Sequence, residues 1–328
     1  MEQRTLGRTQ RQVSVVGLGA WQLGADWGEV DESDALATLD AALEAGVTFI
    51  DTADVYGDGR SETVIGKLLK ARPDSGVFVA TKAGRRADPH VAEAYTLENL
   101  RSWVDRSRTN LGVDVLDLVQ LHCPPTAVYS TDAVYDALDT LVAEQRVAAY
   151  GVSVETVAEA QTALERPGVA TIQVILNAFR QKPLEELLPA AAAAGVGIIA
   201  RVPLASGLLS GKYDESTEFG ADDHRTYNRN GEAFDVGETF AGVDFVTGVQ
   251  AAREIAALTP SGATTAQLAL RWILDQPGVS VVIPGARNAD QARSNAAAAA
   301  LPPLDDATRT RIRDVYDARI RPQVHSRW

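Results

Sequence analysis

The 328-residue sequence has only one cysteine, Cys123. A lone thiol cannot close a disulfide within the chain, so the fold does not depend on an oxidising compartment. Apolar runs are short as well. None approaches the ~18 residues of a membrane-spanning helix. The start, Met1-Glu2-Gln3-Arg4, is polar and lacks the apolar stretch of a secretory signal. These absences together lead us to expect a cytoplasmic protein. Basic residues are scarce: 31 Lys and Arg stand against 44 Asp and Glu, a net charge of -13. That balance excludes broad binding to nucleic acid or anionic membrane, which needs basic patches; it reads as solubility. The four histidines, at positions 90, 122, 224 and 325, have no zinc-ligand spacing, and no metal site is expected. Gly17, Gly19 and Gly24 do not form the G-x-G-x-x-G turn that opens a doubly wound dinucleotide-binding sheet.

What the chain does contain is a repeat. Short β-branched runs recur at residues 13–16, 47–50, 77–80, 115–121, 147–152, 171–176, 196–202 and 279–283. Most steps are roughly 25 to 35 residues, room for one strand and one crossover helix. Helical patterns fill the gaps at 34–44, 61–70, 97–111, 131–143, 155–164, 184–194 and 290–300, several with a capping residue at the start or glycine at the stop. Eight such units with buried strands predict an α/β fold, a (β/α)8 TIM barrel, as a single domain over residues 1–328. An open doubly wound sheet is the alternative. Residues 203–278 interrupt the repeat. Their polar, Gly-rich part, 213–244, reads as a long surface loop and a candidate lid, followed by helices near 246–258 and 264–275.

Polar residues sit at the C-terminal ends of consecutive runs, the edge where parallel α/β folds place their chemistry. The second run ends in Asp51, with Tyr56 just beyond; the third ends in Lys82; the fourth ends in His122. Each has an ordinary reading alone: a loop anchor, a buried ion-pair partner, a hydrogen-bonded histidine. At neighbouring strand ends they suggest protonation of a carbonyl oxygen. A free tyrosine titrates near pH ~10, too high for efficient acid-base work at neutrality. An ammonium ~4 Å away favours phenolate by up to ~4 kcal/mol at an effective dielectric near ~20, which is at most ~3 pKa units. Asp51 would hold Lys82 charged, and His122 would donate to the developing oxyanion. A Cys123–His122 nucleophile pair is disfavoured, because adjacent strand residues point to opposite faces.

These motifs resemble the aldo-keto reductase superfamily. Asp51-Thr52-Ala53-Asp54-Val55-Tyr56-Gly57 with Ser61-Glu62 is similar to its signature after strand two, and Lys82 and Leu121-His122-x-Pro124 are similar to the next two. The resemblance runs from about Gly7 to about Asn295. It implies a (β/α)8 barrel with an N-terminal β-hairpin that reduces aldehydes or ketones with NAD(P)H, or runs the reverse oxidation, on a small-molecule substrate. It implies Tyr56 as general acid/base, Lys82 and Asp51 as tuning groups, and His122 as the group that polarises the carbonyl.

The cofactor residues follow from the same resemblance. Gly285, Ala286 and Arg287 lead into Gln291 and Asn295; a Gly turn before a helix and a forked cation suit a phosphate. Arg287 would meet an adenosine 2′-phosphate, so NADPH is expected over NADH. Pro203, Leu204, Ser206, Gly207, Leu208 and Lys212 resemble the segment that covers the pyrophosphate. Ser153 and Gln173 match positions that hold the nicotinamide amide. Gly19, Ala20 and Trp21 would border nicotinamide and substrate, and Trp27 is a further substrate candidate with Trp21, Tyr56 and His122.

The sequence departs from the pattern at Val154, where asparagine is common, and at Leu176 and Arg201, where aromatics are common. Arg201 would stack on nicotinamide, and its charge would disfavour the oxidised ring. Two other classes are carried along: a cofactor-sensing regulatory subunit, since potassium-channel β-subunits resemble this barrel, and an aldolase with Lys82 as a Schiff-base lysine.

Overall fold

The computed structural model describes residues 1–24 and 30–328. An antiparallel hairpin comes first, β1 (Gln3–Thr5) and β2 (Gln12–Ser14). Eight parallel strands follow: β3 (Leu18–Gly19), β4 (Phe49–Asp51), β5 (Phe78–Ala83), β6 (Leu118–His122), β7 (Tyr150–Ser153), β8 (Val169–Ile175), β9 (Gly197–Arg201) and β10 (Val279–Val282), each paired with the next in sequence. Parallel bridges Val16↔Val282 and Gly19↔Gly285 join the first strand to the last, so the sheet closes into a (β/α)8 barrel. An open sheet would leave both edges free.

The first apolar run does not form the first barrel strand as a unit. Val13 belongs to the hairpin, Val15 and Val16 meet Val282 at the closing seam, and β3 begins at Leu18. The reason is the plug. Leu6 and Val13 pack with Phe49, Phe78, Leu118, Ile199 and Val281 inside the N-terminal end of the barrel. Gly7, at φ +49, lies so close to β9 that an added Cβ would sit 2.0 Å from the Gly197 nitrogen. Backbone therefore seals one mouth, and the C-terminal mouth is left for chemistry.

Helices α1 (Glu32–Glu44), α2 (Arg60–Ala71), α3 (Leu97–Leu111), α4 (Asp132–Ala143), α5 (Val157–Leu164) and α6 (Leu187–Ala194) alternate with the strands. The caps behave as the sequence suggests. Gly112 ends α3 in the left-handed region at φ 67, and Thr156 with Glu159 forms a capping box on α5. Between β9 and β10 lie α7 (His224–Tyr227), α8 (Phe245–Ala256) and α9 (Thr265–Leu274); α10 (Ala289–Ala297) and α11 (Asp306–Val315) complete the chain before a short C-terminal turn of helix.

Segment 213–244 is not the plain surface loop expected. Asp223, His224, Arg225, Asn228 and Glu238 are buried. Side chains take the place of a ladder: Asn228 Oδ1 accepts from the Ala233 and Phe234 nitrogens at 2.8 and 2.9 Å, and Asp223 caps α7. Trp328 then pins the segment from outside. Its Nε1 donates to Asp235 at 3.0 Å, and its ring lies 3.8 Å beneath the Arg180 guanidinium. Among the described residues no helix is long and apolar enough to cross a membrane.

Candidate active site

Asp51, Lys82 and His122 are the last or next-to-last residues of β4, β5 and β6, and Tyr56 starts the turn Tyr56–Gly59. Parallel register brings these ends together. Gly57 fixes the turn. At φ +56, an added Cβ would stand 2.0 Å from the Gly24 carbonyl oxygen, so the chain folds back tightly and the phenol is directed inward.

Lys82 is 1% exposed. Its Nζ donates to Asp51 Oδ1 at 2.5 Å, to the Thr52 carbonyl at 2.9 Å and to the Tyr56 hydroxyl at 3.2 Å. All three ammonium protons are thus directed. Asp51 Oδ2 in turn accepts from Gln173 at 2.7 Å and from Gln120 at 3.3 Å. The His122 ring meets the Tyr56 ring edge-on with centroids 5.9 Å apart. His122 Nδ1 is buried and has no hydrogen-bond partner among the described residues.

Burial governs the protonation states. It raises Tyr56 above its ordinary value; Lys82 opposes this and Asp51 adds to it. Lys82 does draw the phenol down, as expected from the sequence, but desolvation exceeds that pull. For Lys82 burial pushes down, yet Asp51 and Tyr56 outweigh it and the ammonium is favoured. His122 is pushed well below its usual range by burial, then by Arg85, Lys82 and Arg201. The imidazole is therefore neutral and keeps one N–H to donate.

Trp21 closes the site above. Its ring stacks on Tyr56 at 5.9 Å and contacts His224 and Phe234 of the long segment at 5.2 and 5.8 Å. Trp27 lies outside the described residues.

A cavity of about 410 Å³ runs outward from Tyr56 and Asp51, within the usual size of ligand sites. Gly19, Ala20 and Trp21 line it beside β3, and Gln173 lines its floor. Arg201, Pro203 and Leu204 line it at β9, with Ser206, Gly207 and Lys212 beyond. Gly285, Arg287, Gln291 and Asn295 form the far end. There the Arg287 nitrogen donates to Gln291 Oε1 at 2.9 Å, and Asn295 Nδ2 donates to the Gly285 carbonyl at 3.1 Å. Three of the cofactor candidates are not on this surface: Ser153, Leu208 and Ala286 are at most 1% exposed and do not line the cavity, and of the catalytic candidates Lys82 and His122 do not line it either. Ser153 is turned toward Cys123, its Oγ 3.4 Å from Sγ. Leu208 instead packs against Gly248 of α8.

A cluster absent from the sequence reading sits beside His122. Arg85, just past β5, pairs with Glu238 at 2.9 Å and Glu155 at 3.5 Å; Arg201 pairs with Glu155 at 2.9 Å and Glu238 at 3.7 Å. Arg201 therefore carries no bare charge, which removes the basis for its expected bias against the oxidised ring. Burial, then Glu238, raises Glu155 toward neutrality; for Glu238 burial is overcome by Arg85 and Arg201, which hold it low. Cys123 Sγ and these two carboxylates lie within 4.8 Å of one another, but the guanidiniums already occupy the oxygens. Burial lifts the Cys123 thiol to about 12, the reverse of what a nucleophile needs. The Arg85-Arg86 pair after β5 is the one signal the sequence offered; Glu238 carried none.

The sequence matches the profile of the Aldo/keto reductase family over residues 15–317. It is 31% identical over 299 residues to aldo-keto reductase YhdN of Bacillus subtilis, covering 89% of this chain and 86% of that protein. It is 30% identical to a probable voltage-gated potassium channel subunit beta of Oryza sativa, covering 93% of both. Among solved structures, the holo form of aldo-keto reductase AKR11C1 from Bacillus halodurans superposes with a TM-score of 0.78 at 26% identity over 99% of both chains. An aldo-keto reductase from Klebsiella pneumoniae in complex with NADPH shares the fold, with a TM-score of 0.71 at 24% identity over 96% of both chains.

Proposed function

This chain belongs to the aldo/keto reductase family and is an NAD(P)H-dependent oxidoreductase, and from that premise we propose that it reduces aldehydes or ketones to alcohols with NADPH, reversibly, using Tyr56 as general acid. The cavity suits a dinucleotide: amides of Gln173 and Asn295 line it, and the exposed cations Lys212 and Arg287 share its outer end. Arg287 beside the N-terminus of α10 favours a 2′-phosphate, hence NADPH over NADH. Bound NADPH would supply the hydride.

The chain's own residues handle the oxygen and the proton. A carbonyl oxygen between Tyr56 and His122 accepts a hydrogen bond from the neutral imidazole. As negative charge builds on it, the Tyr56 hydroxyl gives up its proton. Lys82, held by Asp51, stabilises the phenolate that remains; Gln173 and Gln120 hold Asp51. Trp21 and the long segment exclude water, which strengthens each of these interactions.

The observation that carries this reading is the buried Lys82 Nζ joined at once to Asp51, the Thr52 carbonyl and the Tyr56 hydroxyl. It is tested by following NADPH oxidation with 4-nitrobenzaldehyde. Tyr56→Phe should lower kcat by about 10²-fold or more while NADPH still binds, as read by protein fluorescence. The likeness to a channel β subunit motivates a second reading, a cofactor-binding regulator; binding without tyrosine-dependent turnover would favour it.

A further inference from the structure

Glu155, which pairs with Arg201 of the active-site cavity, also lines a second, smaller cavity. It measures about 10 Å³, room for about one water-sized occupant. Arg180, Lys182, Tyr316, His325 and Trp328 line it together with apolar residues of β8 and α5. The cavity therefore lies where the C-terminal tail meets the barrel.

Arg180 breaks the rule that buried charges are paired. It is 4% exposed, yet among the described residues no carboxylate pairs with it. Its Nη1 donates to the Ala241 carbonyl at 3.2 Å, and the Trp328 ring covers one face of the guanidinium. That ring attracts the cation but does not replace the water lost in the guanidinium plane. The neighbouring carboxylates are committed elsewhere. Glu155 is held by Arg201 at 2.9 Å. Asp235 accepts from Trp328 Nε1 at 3.0 Å and from the Gly237 nitrogen at 2.6 Å. Glu185 pairs with Arg321 at 3.1 Å and His325 at 3.3 Å. Burial accordingly draws Arg180 down to about 9; Glu155 opposes this without pairing. Lys182, half-buried on the same cavity, has no ion-pair partner among the described residues either. Two uncompensated cations thus border one small space.

We propose that this cavity binds one monatomic anion, chloride in ordinary solution, held by Arg180 and Lys182. Water fits the volume but leaves the Arg180 charge unanswered. Phosphate answers the charge but exceeds the volume. Glu155 does not bar an anion: its oxygens accept from Arg201 and Arg85, and burial, then Glu238, raises it to about 7. The ion is structural. It completes the residue that, with Trp328, ties the tail to segment 235–242 through the Ala241 carbonyl and Asp235.

The test measures Tm in potassium chloride against potassium methanesulfonate at equal ionic strength. Chloride should raise Tm by about 2 °C or more, and the gain should grow with chloride concentration as binding to one site requires. Arg180→Leu should lose the gain; Arg180→Lys should keep part of it. Wild-type crystals soaked in bromide should show an anomalous peak beside Arg180. Equal Tm in the two salts, the same chloride gain in folded Arg180→Leu, or a cavity that holds water and no bromide would overturn the proposal. If the variants fail to fold, the bromide peak in the wild type decides alone.

Discussion

Lys82 acts on Tyr56 against a larger opposing effect, burial, and this gives a directional prediction. In Lys82→Met the one strong influence lowering the phenol is gone while Asp51 remains beside it. Tyr56 should move further up. Alcohol oxidation, which needs phenolate, should then lose more than carbonyl reduction, which needs the protonated phenol. Rates measured in both directions between about pH 6 and 10 check this; equal losses would show that lysine merely holds the fold. Asp54 offers a stability test. Both its oxygens are buried without a hydrogen-bond partner among the described residues, and burial, then Glu62, raises it to about 7. Between its unfolded value near ~4 and about 7 the folded state binds the extra proton, so stability is fullest below that window and falls as pH rises through it. Asp54→Asn should flatten this fall, seen as a smaller difference in Tm between pH 5 and 8. At this scale Asp51, Tyr56, Lys82, His122 and Gln173 were legible because each closes or follows an apolar run. The Arg85–Glu238 pairing was not, since it joins positions with no common pattern.

Among the elements, the segment running from Asp235 to Gly242 owes its position to a side chain far along the chain. Trp328 bonds Asp235, and an added Cβ on Gly242 would lie 2.4 Å from its ring. Trp328→Ala should loosen that segment and the Glu238 it carries. Limited proteolysis within 213–244 should accelerate, and KM should rise more than kcat falls; unaltered cleavage would mean that the segment holds itself. Helices were legible from caps and stops because those signals are local. The long loop itself was legible, but its burial was not, because its buried polar groups, Asn228 above all, are satisfied by tertiary partners that composition does not reveal. The first apolar run was misread for a related reason: Val13 is buried by plugging the barrel, and apolar periodicity alone does not distinguish a plug from a stave.

The whole molecule is a barrel with one mouth sealed by backbone contact. Gly197→Ala would place a methyl 2.8 Å from the Gly7 nitrogen, and the hairpin would have to shift. Overpacking of this kind costs roughly 1–3 kcal/mol, so Tm should fall while kcat/KM for 4-nitrobenzaldehyde at the distant mouth stays as in wild type. The eightfold recurrence made this architecture readable, because each strand is buried on both faces and shows as a continuous apolar run. The central claim concerns the proton. Its most direct measurement is the single-turnover rate of 4-nitrobenzaldehyde reduction by wild-type and Tyr56→Phe protein, both preloaded with NADPH, which separates chemistry from cofactor binding and product release. The account predicts that the variant is slower by about 10²-fold or more; equal rates from equally loaded proteins would contradict it.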